Sequence, residues 1–297
     1  QILYTVNGVM NPKITMYPGE VQRWRLLNAA EGKFMSVRLE GHPLHAIAWD
    51  GLTLPAPEPE AEILLSAGNR ADLLIQAGEP GVYEFILSPG SSQKPNIPGM
   101  PAAVDAGTPI PGVDTRTQTA PASLNTTGEL AVRSILTVEV VGDGPTMALP
   151  ASLPAWDPPL PPVNRTRTVE YTVEREMDHS TFIDFGIDGD PFSPTRPPYQ
   201  AKLNTVEEWT VVNGTDEKLV DHAHVFHIHV NPFKVTAING RTLDKPLWRD
   251  TFVLTGKTGD SFTFQTHFTD FTGKFVQHCH VLTHEDLGMM ETIEIIP

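Results

Sequence analysis

Thr205-Val206-Glu207-Glu208-Trp209-Thr210-Val211-Val212-Asn213 repeats the pattern of an earlier stretch, Glu20-Val21-Gln22-Arg23-Trp24-Arg25-Leu26-Leu27-Asn28. Val21, Trp24 and Asn28 thus fall on Val206, Trp209 and Asn213, and the correspondence continues downstream. Pro43-Leu44 and Asp50-Gly51 match Pro232-Phe233 and Asn239-Gly240. Arg70 to Gln76 matches Gly259 to Gln265, and Gly81-Val82-Tyr83 matches Gly273-Lys274-Phe275. One structural unit is written twice.

Within each copy apolar residues alternate over short segments, such as Trp24 to Leu27, Leu73 to Gln76 and Ser261 to Gln265. Period-two alternation bounded by Asp-Gly and Asn-Gly is the signature of half-buried strands joined by tight turns. Several such strands per copy make an all-β chain of two tandem Greek-key β-sandwiches. No amphipathic pattern is sustained for a helix longer than about three turns. The 28 prolines and 23 glycines suit many short strands in the same way. The expected domains are residues 1–142 and 166–297, with a Pro-rich linker at 143–165 and a long surface loop near 89–128. Residues 129–141 return to strand character and close the first domain.

A length of 297 residues suffices for two domains with separate cores. With 36 acidic against 21 basic residues the net charge is −15, which argues against nucleic acid and anionic membrane surfaces as partners. No apolar run approaches the roughly 18–20 residues of a membrane-spanning helix. Cys279 is the single cysteine, so no internal disulfide can form. The chain opens on Gln1 rather than Met, and the expectation is that processing or truncation removed what preceded it.

Six of the eleven histidines lie close to that cysteine or in one other short segment of the second copy. The first segment is His224-Val225-Phe226-His227-Ile228-His229. The second is His278-Cys279-His280, followed by His284, Glu285 and, after Gly288, Met289. Residues two apart on a strand share a face. His227 and His229 therefore point one way, as do His278 and His280, while Cys279 points the other. A thiolate, two imidazoles and a distant thioether form the trigonal set with a weak axial ligand that selects copper, and His224, Cys279, His284 and Met289 supply it. The four same-face histidines suit copper or zinc. The first copy is an internal control: Arg38 and Glu40 stand where the second has His227 and His229, and Ile86, Leu87 and Ser88 where it has His278, Cys279 and His280. His42, His45, His179, His222 and His267 read as non-ligands.

At these residues the sequence resembles the multicopper oxidase family, which includes laccases. The resemblance spans the chain: residues 1–142 look like the family's metal-free middle domain and residues 166–297 like its last domain, both cupredoxin-like. It implies that His224, Cys279, His284 and Met289 hold a type 1 copper. It also implies that His227 binds a type 2 copper, that His229 and His278 share one type 3 copper, and that His280 binds the other. Glu285 matches an acidic residue that delivers protons to this cluster; read alone it is equally a surface carboxylate. The implied reaction passes electrons from a small-molecule or metal-ion reductant through Cys279, His278 and His280 to dioxygen, which becomes water.

This sequence departs from the family in lacking the two further His-x-His motifs of an amino-terminal domain, so four of the cluster's eight histidines are absent. The type 1 set is complete, and the type 2 and type 3 sets are partial. The expected partner is that missing domain, in cis or from another chain, and the fragment alone is expected to be inactive. The alternative is a two-domain blue-copper electron-transfer or copper-binding protein without catalysis. A zinc enzyme would leave Cys279 and Met289 unexplained. The resemblance implies a periplasmic or secreted location, and the reducing substrate is not legible.

Overall fold

The computed structural model of the chain describes residues 3–90, 132–175, 183–216 and 222–297. The first copy contributes β1 (Lys13–Met16), β2 (Val21–Leu27), β3 (Met35–Leu39), β4 (Leu44–Trp49), β5 (Leu52–Glu60), β6 (Ile63–Leu65), β7 (Arg70–Gln76), β8 (Gly81–Pro89) and β9 (Arg133–Val140). The second opens with β10 (Arg165–Arg175), β11 (Ile183–Ile187), β12 (Tyr199–Lys202), β13 (Thr205–Asn213), β14 (His224–Ile228) and β15 (Phe233–Ile238). It closes with β16 (Arg241–Arg249), β17 (Thr251–Leu254), β18 (Ser261–Phe268), β19 (Gly273–Cys279), α1 (Leu282–Asp286) and β20 (Met290–Ile296).

Four sheets result. The first copy has the orders β2-β7-β4-β5 and β1-β9-β8-β3-β6; the second has β13-β18-β15-β16, extended by β10 and β11, and β12-β20-β19-β14-β17. The repeat is therefore a repeat of topology, down to the parallel pairs β1·β9 and β12·β20. Local chemistry repeats with it. Asn28 and Asn213 are buried, and each donates from its amide nitrogen to two backbone carbonyls, Lys33 and Leu65 in one copy, His222 and Thr255 in the other. Asp50-Gly51 and Asn239-Gly240 both take positive φ, the geometry a two-residue hairpin turn requires.

One sequence correspondence is displaced by two residues. Leu73 faces Trp24 as Phe264 faces Trp209, whereas the sequence match had set Leu73 against Phe262. A shift of two preserves the face of every side chain, so the apolar pattern could not distinguish the two alignments.

The cores are apolar and aromatic. Leu44, Trp49, Leu73, Ile75 and Phe85 fill the first; Trp209, Phe226, Phe233, Phe262 and Phe264 fill the second, where Phe34 and Leu64 of the first copy also pack. The expected linker carries no strand or helix from residue 143 to 164, and it is pinned along its length. Leu153 and Trp156 donate backbone N–H bonds to Pro55 and Thr53 of the first copy. Asp157 accepts from Lys234 Nζ and Trp248 Nε1 of the second, each at 2.8 Å. Beyond Gly90, the expected loop near 89–128 lies outside the described residues, as does His179. Among the described residues no helix is long and apolar enough to cross a membrane.

Candidate metal centre

Strands β14 and β19 pair antiparallel, with Phe226 opposite Cys279 and His227 opposite His278. Alternation then sorts the side chains. Cys279 and His224, both fully buried, turn into the sandwich, and His227, His229 and His278 turn out of it.

On the inner side Cys279 Sγ lies 3.6 Å from His284 Nδ1 and 3.9 Å from His224 Nδ1. Thr215 Oγ1 contacts the other nitrogen of His224 at 3.1 Å, which leaves Nδ1 aimed at the sulfur. His284 arrives on α1, a helix of five residues, and stacks on Phe185 with ring centroids 4.6 Å apart. Met289 is fully buried, and its backbone N–H donates to the His284 carbonyl at 2.9 Å. The donor set fits copper: a buried thiol, two imidazole nitrogens facing it and, after Gly288 in the chain, the buried thioether of Met289. Burial pushes the Cys279 thiol up to about 12, so it is protonated at neutral pH until a metal displaces the proton. Burial likewise pushes His284 down to about 4 and His224 well below its usual range, so both rings are neutral and able to bind.

On the outer side one nitrogen from each of His227, His229 and His278 falls within 4.8 Å of the others. His229 Nε2 and His278 Nε2 are 3.2 Å apart, close enough to share one ion. His280 stands next to them, its ring 5.7 Å from that of His227, and its buried Nδ1 has no hydrogen-bond partner. Burial holds His227 at about 4 and His278 at about 3. His278 Nδ1 hydrogen-bonds the Cys279 carbonyl at 3.1 Å, and with the ring neutral the 3.0 Å approach of Glu285 Oε2 to the same nitrogen is not an ion pair. Burial raises the Glu285 carboxyl in turn. The His227, His229 and His280 imidazoles floor a cavity of about 640 Å³ whose walls include Leu27, Gly68, Arg70 and Leu282.

The structure thus brings His224, Cys279 and His284 together, groups His227, His229 and His278 behind them, and sets His280 and Glu285 at the margin. It also contributes residues that sequence reasoning missed. Gly68, at φ +77°, packs so tightly on the His280 ring that an added Cβ would stand 2.5 Å from its Nε2. Gly68→Ala is expected to displace that ring and to destabilise the fold by about 1–3 kcal/mol. Urea unfolding reads the stability loss, and zinc titration reads the damage to the imidazole site.

Family models described as multicopper oxidase match residues 2–104 and residues 161–296. Among curated relatives, multicopper oxidase mco of Staphylococcus aureus is 29% identical over 296 residues, covering 98% of this chain and 51% of its own length. Cell division protein FtsP of Escherichia coli is 26% identical, covering 85% of this chain and 46% of its own length. The chain spans about half the length of the curated relatives it matches. Among solved structures, the multicopper oxidase from Campylobacter jejuni, titled a metallo-oxidase, superposes with a TM-score of 0.73 at 22% identity. That match covers 99% of this chain and 57% of the other.

Proposed function

The chain belongs to the multicopper oxidase family, and from that premise we propose that it carries a complete type 1 copper site and half of a trinuclear cluster. In this reading residues 166–297 form the copper-carrying domain of a laccase-like oxidase and residues 1–142 its metal-free neighbour. The remaining cluster imidazoles come from a further domain, in the same polypeptide or another. Copper supplies one-electron redox chemistry at the thiolate set and the four-electron reduction of dioxygen to water at the imidazole set.

The chain's own residues define what it contributes. His224, Cys279 and His284, with Met289, would hold the type 1 ion; His227 the type 2 ion; His229 and His278 one type 3 ion; and His280 the other. The single observation that carries the proposal is the position of Cys279. Its sulfur meets the inner donors while the residues on either side of it in the chain belong to the outer set, so a few covalent bonds join the two. Glu285 offers a carboxyl, raised by burial, whose Oε2 lies against His278 Nδ1, where it can hold a proton for the pocket. His284 is half-buried, and its exposed edge is where a small-molecule or metal-ion reductant would give up its electron. A periplasmic or secreted location accords with this reading.

Loading the chain with copper tests it. The expected result is one strongly blue equivalent at Cys279 together with near-zero dioxygen consumption. An absent blue band overturns the type 1 assignment, and robust four-electron turnover overturns the half-cluster. The similarity to FtsP, named for cell division, favours a second reading in which the same fold binds copper or carries electrons without turnover. A single bound equivalent that exchanges one electron reversibly, undisturbed by any added domain, supports that second reading.

A further inference from the structure

Arg70, from the metal-free copy, lines the imidazole pocket beside His227 and Asp250. It donates Nη1 to Asp250 Oδ1 at 2.7 Å and Nη2 to Asp250 Oδ2 at 2.5 Å, a two-point grip that fixes the plane of the carboxylate. Its own side chain is steadied by the Asp50 turn, since Nη2 also donates to the Asp50 carbonyl at 3.0 Å. Next to it, Asn69 Nδ2 donates to the Thr251 carbonyl at 3.0 Å. The start of β17 is therefore held from the first copy on both its side-chain and its backbone groups.

His227 leans on that held segment. Its Nδ1 lies 2.8 Å from the Asp250 carbonyl and 3.0 Å from Thr251 Oγ1. The Thr251 hydroxyl donates its proton to Asp250 Oδ1 at 2.8 Å, so toward the ring it can only accept. Both neighbours of Nδ1 are then acceptors. The neutral ring must carry its proton on Nδ1 and present a bare Nε2 to the cavity, the form a metal ligand needs.

We propose that Arg70 is a positioning residue for His227: by gripping the Asp250 carboxylate it holds the Asp250 carbonyl and the Thr251 hydroxyl in place as acceptors at Nδ1, and thereby sets the tautomer of a ligand in the other copy. This deepens the proposed function, because it rests on His227 being a ligand. It gives the metal-free copy a part in building the pocket beyond that of a spacer.

The test uses the full chain with Arg70→Gln, Arg70→Lys and Thr251→Val. In the metal-free protein, long-range proton–nitrogen NMR of the histidines is expected to show His227 as a single Nδ1–H tautomer. In Arg70→Gln it is expected as a mixture, with Arg70→Lys recovering most of the original form, whereas Thr251→Val, which keeps the Asp250 carbonyl as acceptor, is expected to stay Nδ1–H. With zinc as the probe, the imidazole set is expected to weaken about 10-fold or more in Arg70→Gln, the range of outer-shell losses at metal sites. The blue copper band at Cys279 stays at full strength. An unmixed Nδ1–H tautomer in Arg70→Gln overturns the proposal, and so does equal weakening at both sites, which signals general loosening. If the unaltered chain takes up no copper, the proposed function fails, while the NMR result still decides the role of Arg70.

Discussion

Cys279→Ser will abolish the blue absorption of the copper-loaded chain completely and will remove tight copper binding at the inner site. The absorption arises from charge transfer between a thiolate and copper, and the only thiol in the chain is Cys279. A serine hydroxyl is a harder and far less acidic donor, so His224 and His284 would be left as a two-nitrogen site with a weak thioether. The outer set shares no ligand atom with the inner one, so zinc titration of His227, His229 and His278 is expected to be unchanged. The change is nearly isosteric in a fully buried position, so the fold should survive. Optical spectra and metal analysis of the purified variant check both halves of the expectation. Retention of the blue band would remove Cys279 from the inner site.

Arg249→Met is the change expected to cost the most stability without touching a ligand. Arg249 is buried, lies over the Trp49 ring at 4.9 Å, and sits in the field of Asp50 and Asp250 between the two copies. Its loss leaves the fully buried Asp50 carboxylate with Arg70 as its compensation and with Asp250 as a repelling neighbour. Breaking a buried ionic cluster by removing one partner costs about 3–5 kcal/mol. Burial first, and Asp250 second, already raise the Asp50 carboxyl above its ordinary value, whereas Arg249 lowers it. A carboxyl with a raised folded pKa binds its proton more tightly in the native state. Stability therefore falls as pH rises from the unfolded pKa through the folded one. Removing Arg249 extends that window upward, so the defect should be larger at neutral than at mildly acidic pH. Adding Asp50→Asn should recover part of it, and urea unfolding of the single and double variants at two pH values reads all of this.

How much was legible in the sequence depended on whether a residue's role is local or borrowed from a distant element. Period-two alternation put Cys279 and His278 on opposite faces, because side-chain direction along a strand is a property of neighbours. The same periodicity could not detect the two-residue displacement of β7 against β18, since that displacement moves no side chain to another face. Nor could it find Arg70, Gly68, Asp250 and Thr251. Arg70 and Asp250 are 180 positions apart and meet only when the two copies dock. The motif segments gave the donors; the residues that orient them lie at a strand start and a turn, where no periodic signal exists. His284 was assigned by its spacing from Cys279, but the short helix that delivers it has too few residues to leave a pattern.

The pairing of Phe226 with Cys279 and of His227 with His278 has an evolutionary corollary. Inserting or deleting one codon within either strand would exchange inward and outward side chains from that point on, presenting the thiol to the open cavity and a histidine to the aromatic core. Lineages carrying this pair can drift by substitution, or by length changes in the loops that flank it, but not by single-residue indels inside it. The inner thiol-centred donors and the outer imidazoles are thereby inherited as one linked block.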